Sequence, residues 1–377
     1  MLSLQEILQK LSNMKIPLVD LKAQYYSIKE EIDRAIASVI NKSQFIGGDE
    51  LKNFEQNFAS YCERKFGIGS SSGSTALLAV LKCLGIKQDD EVIIPVNTFI
   101  ATAFAVTLCG AKPVFIDVNE SDFLINSDLI EGKITEKTKA IIPVHLYGNV
   151  CDMDKIIEIA KKHNLHIIED CAQAHGSTYK GKKVPVKDIG CFSFFPIKNL
   201  GAYGDAGCIV SNNEEFAKKL RRFVNHGRLE KYLHVEEGFN FRLDNLQAAI
   251  LNVKLKYLDS WIEKKREIAK IYDSELKNFK KQVIKEDVGH SYHLYVIRCN
   301  DRDKLKKYLD ESSIETGIHY PIPLHLQPAF HYLGYKNGDF PVAEKLSKNV
   351  LSIPIYAELK EGEQRKVIDI IKSYFLK

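Results

Sequence analysis

The sequence predicts an α/β protein built on a mostly parallel sheet with helices on both faces. Two observations carry this. From about residue 70 to 210, short apolar, β-branched runs alternate with amphipathic stretches of 10 to 12 residues, the pattern of strands joined by crossover helices. The 377-residue length suits one large domain with a smaller one attached.

Taken in order, a helix over 74–84 leads to a strand over 91–95, and a helix over 99–109 leads to a strand over 113–117. A strand over 140–145 is followed by a helix over 152–163 and a strand over 166–169. Strands near 191–195 and 208–211 complete the series. A helix is expected over 214–225. The pattern over 243–276 is helical but longer than most globular helices, so a bend or break is expected within it. Beyond it come a strand over 292–299 and helices over 303–312 and 361–374. The three prolines of HYPIPLHLQP make 319–328 a loop. At the other end, Leu4, Ile7, Leu8 and Leu11 have helical spacing, so residues 1–12 read as a short amphipathic helix and not a signal peptide.

Composition narrows the function. The 53 basic and 49 acidic side chains nearly cancel, leaving +4, which argues against nucleic acid or a membrane surface as the main partner. The longest mainly apolar stretch, 98–111, is too short to span a bilayer, which takes about 20 residues. The 8 cysteines form no C-x-x-C pair, so no metal site is expected, and they read as reduced core thiols of a cytoplasmic protein.

Three segments can carry chemistry. In GCFSFFPIKNLGAYGDAG, Pro196 ends an apolar strand and Lys198 follows in a glycine-rich loop. Apolar neighbours disfavour an ammonium and free the amine to form a Schiff base. In HIIED, Asp170 ends a buried strand, where a carboxylate needs a partner, for instance a protonated pyridine nitrogen. The plainer alternative is a helix cap. Adjacent Glu169 must face the other way. In GIGSSSGSTALLAVL, small hydroxylated residues run straight into a helix, offering free N–H groups to a phosphate. It matches neither G-x-G-x-x-G nor the P-loop.

Together with IPLVDLKAQY, PVNTFIATA, PVHLYG, FNFRLDNLQAAIL and HYPIPLH, these segments resemble the DegT/DnrJ family of sugar aminotransferases from about Ile16 onward. The resemblance implies a fold type I pyridoxal-phosphate transferase: a mostly parallel, seven-stranded sheet domain over 16–255, a smaller α+β domain over 256–377, and an N-terminal extension over 1–15. It implies pyridoxal 5'-phosphate linked to Lys198, with Asp170 on the pyridine nitrogen, Gln173 near the phenolic oxygen and Phe99 stacked on the ring. Ser74, Thr75 and Ser193 would hold the phosphate. Asn240 would reach it from a second subunit, which implies a homodimer with shared active sites. His319, Tyr320 and His325 fall where the family places sugar contacts, again from the partner chain, with loop packing as the alternative.

The implied reaction transfers the amino group of L-glutamate to a keto carbon of a dTDP-linked keto-6-deoxyhexose. PVHLYG resembles members that aminate C3. The alternatives are C4 amination, a cyclitol substrate, a sugar dehydratase (whose lysine is replaced by histidine) and a non-catalytic cofactor-binding regulator. One departure from the family stands out. The usual G-D-G-G reads Gly204, Asp205, Ala206, Gly207, and a left-handed Ala206 would be strained.

Overall fold

The computed structural model describes residues 15–376; the expected helix over 1–12 lies outside them. Its main sheet has seven strands: β1 (Phe66–Ser70), β2 (Glu91–Pro95), β3 (Lys112–Ile116), β4 (Thr138–Ile141), β5 (His166–Asp170), β6 (Ile189–Ser193) and β7 (Gly207–Ser211). They lie in the order β1-β7-β6-β5-β4-β2-β3. Only β7 runs against the others. The carboxyl ends of the other six therefore share one edge of the sheet, where open α/β folds place their ligands.

Residues 21–61, to which the sequence reading assigned no elements, form α1 (Leu21–Ser27), α2 (Lys29–Lys42) and α3 (Asp49–Tyr61). α2 buries Ile32 and Val39, and α3 buries Phe54 and Phe58. One narrow apolar stripe on each otherwise polar helix suffices to dock it. The sheet is then layered with α4 (Gly73–Cys83), α5 (Ile100–Thr107), α6 (Met153–Lys162) and α7 (Glu214–Phe223). Asn213 caps α7 by accepting the Phe216 N–H at 3.0 Å.

The strand expected over 140–145 ends instead at Ile141. Pro143 lacks an N–H to continue the ladder, although its carbonyl still accepts the Asp170 N–H at 2.9 Å. The long helical pattern breaks at Lys256–Tyr257 into α8 (Asn245–Leu255) and α9 (Leu258–Glu275). α9 then packs on a second core with β9 (Tyr295–Arg298), α10 (Arg302–Glu311), β10 (Val350–Ile353) and α12 (Glu361–Phe375), with β8 (Lys280–Lys281) paired to β9, whereas α11 (Pro341–Asn349) buries Ala343 and Leu346 in the main core. Tyr272, Ile297, Leu309, Leu351 and Ile368 are buried together in the second core. All 8 cysteines are buried and unpaired, and no described helix is long and apolar enough to cross a membrane.

Candidate active site

Ser193 closes β6 and Lys198 sits five residues on, in a turn held by its own N–H on the Phe195 carbonyl at 2.8 Å. The Lys198 side chain keeps some solvent contact at the mouth of the site. The protein packed around it still displaces enough water to push its pKa down to about 8, against the opposing attraction of Asp170. A minor share of neutral amine, far larger than for an ordinary lysine, is therefore present near neutral pH.

Asp170 ends β5 and is 5 % exposed. Its Oδ1 accepts the Ala172 N–H at 3.1 Å and its Oδ2 accepts the Thr102 hydroxyl at 2.9 Å. Both donors are neutral, and burial raises its pKa above the usual aspartate value. Such a carboxylate still lacks a cation. Glu169 points to the opposite face, as the two-residue period requires. It is fully buried and accepts the Val186 and Lys187 N–H groups at 2.6 and 2.7 Å, with His145 Nε2 at 3.0 Å. Cys171 lies near this pair, but three bonds already satisfy the carboxylate.

At the end of β1, a ring of hydroxyls surrounds Thr75. Its Oγ1 lies 2.8 Å from Ser70 Oγ and 3.1 Å from both Ser71 and Ser72 Oγ. Ser72 and Thr75 form a reciprocal capping box that opens α4. Gly207 backs this loop: a Cβ there would sit 2.4 Å from the Ser72 carbonyl, so no other residue fits. Ala206 is absent from the left-handed residues, so the G-D-A-G departure carries no strain. Ser74 is exposed in the first turn of α4, and Ser193 lies against Gly73. An anion at this helix start, a cationic ring nitrogen at Asp170 and an aldehyde at Lys198 together describe pyridoxal phosphate, and the residues present fit it.

Gln173 is held between two tyrosines. Its Oε1 accepts the Tyr147 N–H at 2.8 Å and its Nε2 donates to Tyr320 Oη at 3.0 Å. Tyr320 also meets Phe99, with ring centroids 5.8 Å apart. The Tyr147 hydroxyl donates to the His319 carbonyl. Within one chain, His319 and Tyr320 thus lie against Tyr147, Gln173 and Phe99. The loop of HYPIPLH folds back over its own sheet because Leu324 N–H bonds the Val96 carbonyl at 3.0 Å.

His325 sits differently. It is fully buried, its Nε2 lies 2.9 Å from Glu344 Oε1, and its ring packs on Phe340. That is loop packing, the plainer of the two readings. His325→Ala should cost about 1–3 kcal/mol of stability and leave KM for the sugar unchanged, as thermal melting and steady-state kinetics would show. Asn240 lies exposed, paired in a bridge with Asn225.

Sequence reasoning passed over Thr102, His293, Lys265 and Asn199. Thr102 had a signal, since it stands one helical turn after Thr98. His293 and Lys265 had none, because they reach the site from remote segments. His175, left unassigned, sits among Phe58, Phe192 and Phe194 with centroids 6.5, 5.4 and 5.5 Å away. Loss of water drives its pKa down to about 3, so it is neutral.

Comparison with known proteins gives the same assignment. The model of the DegT/DnrJ/EryC1/StrS aminotransferase family matches residues 26–372. The chain is 46% identical over 368 residues to a Geobacillus stearothermophilus protein named pleiotropic regulatory protein, covering 96% of this chain and 99% of that one. It is 41% identical over 364 residues to dTDP-3-amino-3,4,6-trideoxy-alpha-D-glucose transaminase of Streptomyces venezuelae, covering 96% of each chain. It is 42% identical over 362 residues to dTDP-3-amino-3,6-dideoxy-alpha-D-galactopyranose transaminase of Aneurinibacillus thermoaerophilus, covering 95% and 99%. Among solved structures, S. venezuelae DesV in complex with a ketimine intermediate superposes with a TM-score of 0.95 at 40% identity, covering 96% and 99%. NtdA of Bacillus subtilis with bound PMP gives 0.89 at 34%, covering 97% and 87%. The match along nearly the whole length, on a sheet whose carboxyl edge gathers Lys198, Asp170 and the Thr75 hydroxyl ring, means that this chain belongs to the DegT/DnrJ/EryC1/StrS aminotransferase family, as a fold type I enzyme that uses pyridoxal phosphate.

Proposed function

We propose that this enzyme moves the amino group of L-glutamate onto the C3 keto carbon of a dTDP-linked 6-deoxyhexose. One observation carries the catalytic part: an amine poised at about 8 shares a sheet edge with a buried carboxylate whose hydrogen-bond donors are both neutral. The 3-amino sugars in the names of the S. venezuelae and A. thermoaerophilus relatives support the substrate.

Pyridoxal phosphate, when bound, takes up the electron pair left when a proton departs from the substrate carbon. The remaining work belongs to the chain. The neutral fraction of Lys198 removes that proton, and the resulting ammonium returns one to the adjoining carbon. Asp170, aimed by Thr102 and the Ala172 N–H, keeps the ring nitrogen protonated. Ser74, Thr75, Ser193 and the N-terminus of α4 hold the phosphate. Phe99 covers the ring, and Gln173 presents its amide to the phenolic oxygen from an orientation set by Tyr147 and Tyr320. His319 and Tyr320 border the sugar's approach.

We assign Asn240 to the phosphate of a second copy's site. The support is the apolar surface of its hairpin, where Leu229, Tyr232, Leu233, Val235 and Phe239 are all exposed in the lone chain. Such a patch favours a covering partner, here a homodimer. The division into a cofactor domain over 16–255 and a small domain over 256–377 belongs to the same reading, supported by the break between α8 and α9.

The test is product analysis with glutamate and either the 3-keto or the 4-keto dTDP-6-deoxy sugar. Only the 3-keto sugar should be aminated; amination of the 4-keto sugar alone would overturn the position. The name of the Geobacillus relative favours a second reading, a non-catalytic regulator. A visible cofactor band that glutamate leaves unmoved would support that reading instead.

A further inference from the structure

Lys198 does not stand alone in its loop. Its Nζ lies 3.5 Å from Nε2 of His293, a residue 95 positions away in sequence that enters just before β9. His293 is 3 % exposed, and its Nδ1 has no hydrogen-bond partner. The chain neighbours of both are tied to one buried amine. Lys265, 7 % exposed on α9, donates to Asn199 Oδ1 at 2.9 Å and to the Tyr292 carbonyl at 3.3 Å. Asn199 in turn donates to the Ser291 carbonyl at 2.8 Å. The residue after Lys198 and the residue before His293 are therefore clamped to the same point.

The charges facing this pair decide the protonation of the imidazole. Lys198, Lys265, His319 and His175 all face His293, and the carboxylate of Glu358 faces Lys265. Asp170 faces Lys198 instead. A charged imidazole would lie in a dry pocket beside the amines of Lys198 and Lys265, so the neutral ring is the compatible form. A neutral ring opposite an ammonium accepts through Nε2, which leaves the proton on Nδ1.

We propose that His293 is a positioning residue for the reaction: its neutral imidazole accepts a hydrogen bond from the Lys198 amine and holds it in place, with the Lys265–Asn199 clamp fixing both partners. No proton is handed to His293. The hydrogen bond favours the ammonium over the free amine and so offsets part of the cost of burying it. This rests on the reading of Lys198 as the reacting amine. The burial that pushes His293 far below an ordinary histidine accords with it.

The test uses the enzyme loaded with pyridoxamine phosphate, in which Lys198 is a free amine. Trace acetylation with isotopically labelled acetic anhydride across roughly pH 6 to 10, read by mass spectrometry on the Lys198 peptide, reports its titration. The wild-type midpoint should fall near the value of about 8. His293→Leu should move it down by about one unit, a tenfold gain in labelling below the midpoint, and lower kcat with KM unchanged. His293→Gln, whose amide oxygen can accept the same bond, should restore both. A midpoint in His293→Leu equal to wild type overturns the proposal. Should that variant fold poorly, nitrogen-15 histidine spectra of the wild type decide. A proton fixed on Nδ1 without titration down to about pH 5 supports the proposal, whereas a proton on Nε2 or a titration near neutrality overturns it. Borohydride trapping of the cofactor keeps the two ideas apart. Absence of trapping at Lys198 defeats the catalytic reading itself, whereas trapping with an unmoved midpoint defeats only the role of His293.

Discussion

Lys198→Arg is expected to lower kcat by about 10⁴-fold or more. Arginine keeps the positive charge and much of the length, so the loop need not collapse. Its guanidinium does not lose a proton in the working range. The variant therefore loses both capacities of the wild-type residue: a neutral amine to condense with the cofactor's aldehyde, and a base to take the proton from the substrate carbon. The pKa of about 8 makes those capacities available near neutral pH. The sign of the wild-type pH dependence follows. Below about 8 the free amine is scarce, so single-turnover rates should climb as pH rises toward that value and level off above it. Steady-state kinetics, with mass spectrometry after borohydride reduction, checks the prediction. Turnover within tenfold of wild type would refute the assignment, as would a reduced cofactor attached to another lysine.

Asp170→Asn should lower kcat/KM by roughly 10²–10⁴-fold, as loss of one member of a buried charge pair costs about 3–5 kcal/mol. The side chain is nearly isosteric and can still accept the Ala172 N–H. The Thr102 hydroxyl can rotate to accept from the new amide. What disappears is the negative charge that keeps the ring nitrogen protonated. Stability separates this from a folding defect. Burial raises the Asp170 pKa, so in the cofactor-free chain the folded state binds its proton more tightly than the unfolded state. That contribution is present at low pH and is lost as pH rises through the folded pKa. Above its raised pKa the cofactor-free wild type therefore carries a buried carboxylate bonded only by neutral donors. Cofactor-free Asp170→Asn should melt no lower than wild type, and wild type alone should gain the most from adding the cofactor. A variant that melts well below wild type without cofactor would show that Asp170 is structural.

Much of the machinery near residue 198 was legible because it is local. A strand broken by proline with a lysine just beyond, an aspartate ending an apolar run, and hydroxylated residues entering a helix are each readable within a dozen residues. Strand alternation separated Glu169 from Asp170, and the structure turns Glu169 toward His145 and the Val186–Lys187 backbone. What escaped notice was non-local. β1 carries Gly67 where a strand would ordinarily carry a branched side chain. A Cβ there would lie 2.3 Å from the Glu55 carbonyl of α3, so the packing of that helix excludes the side chain that would have revealed the strand. His325 and His319 stand six residues apart in one motif, yet one pairs with buried Glu344 while the other borders the site.

Local sequence carried the alternation of strands and helices and singled out the amine and the carboxylate on which the proposed reaction rests. Periodicity and chain breaks are written in neighbouring residues, so these could be read directly. Only the tertiary structure decided which histidines gather around Lys198, that Tyr320 reaches Gln173 within one chain, and that a second buried lysine clamps the loop. Those contacts join segments tens to more than a hundred residues apart. Their energies depend on dehydration and charge in a pocket that exists only once the chain has closed around it.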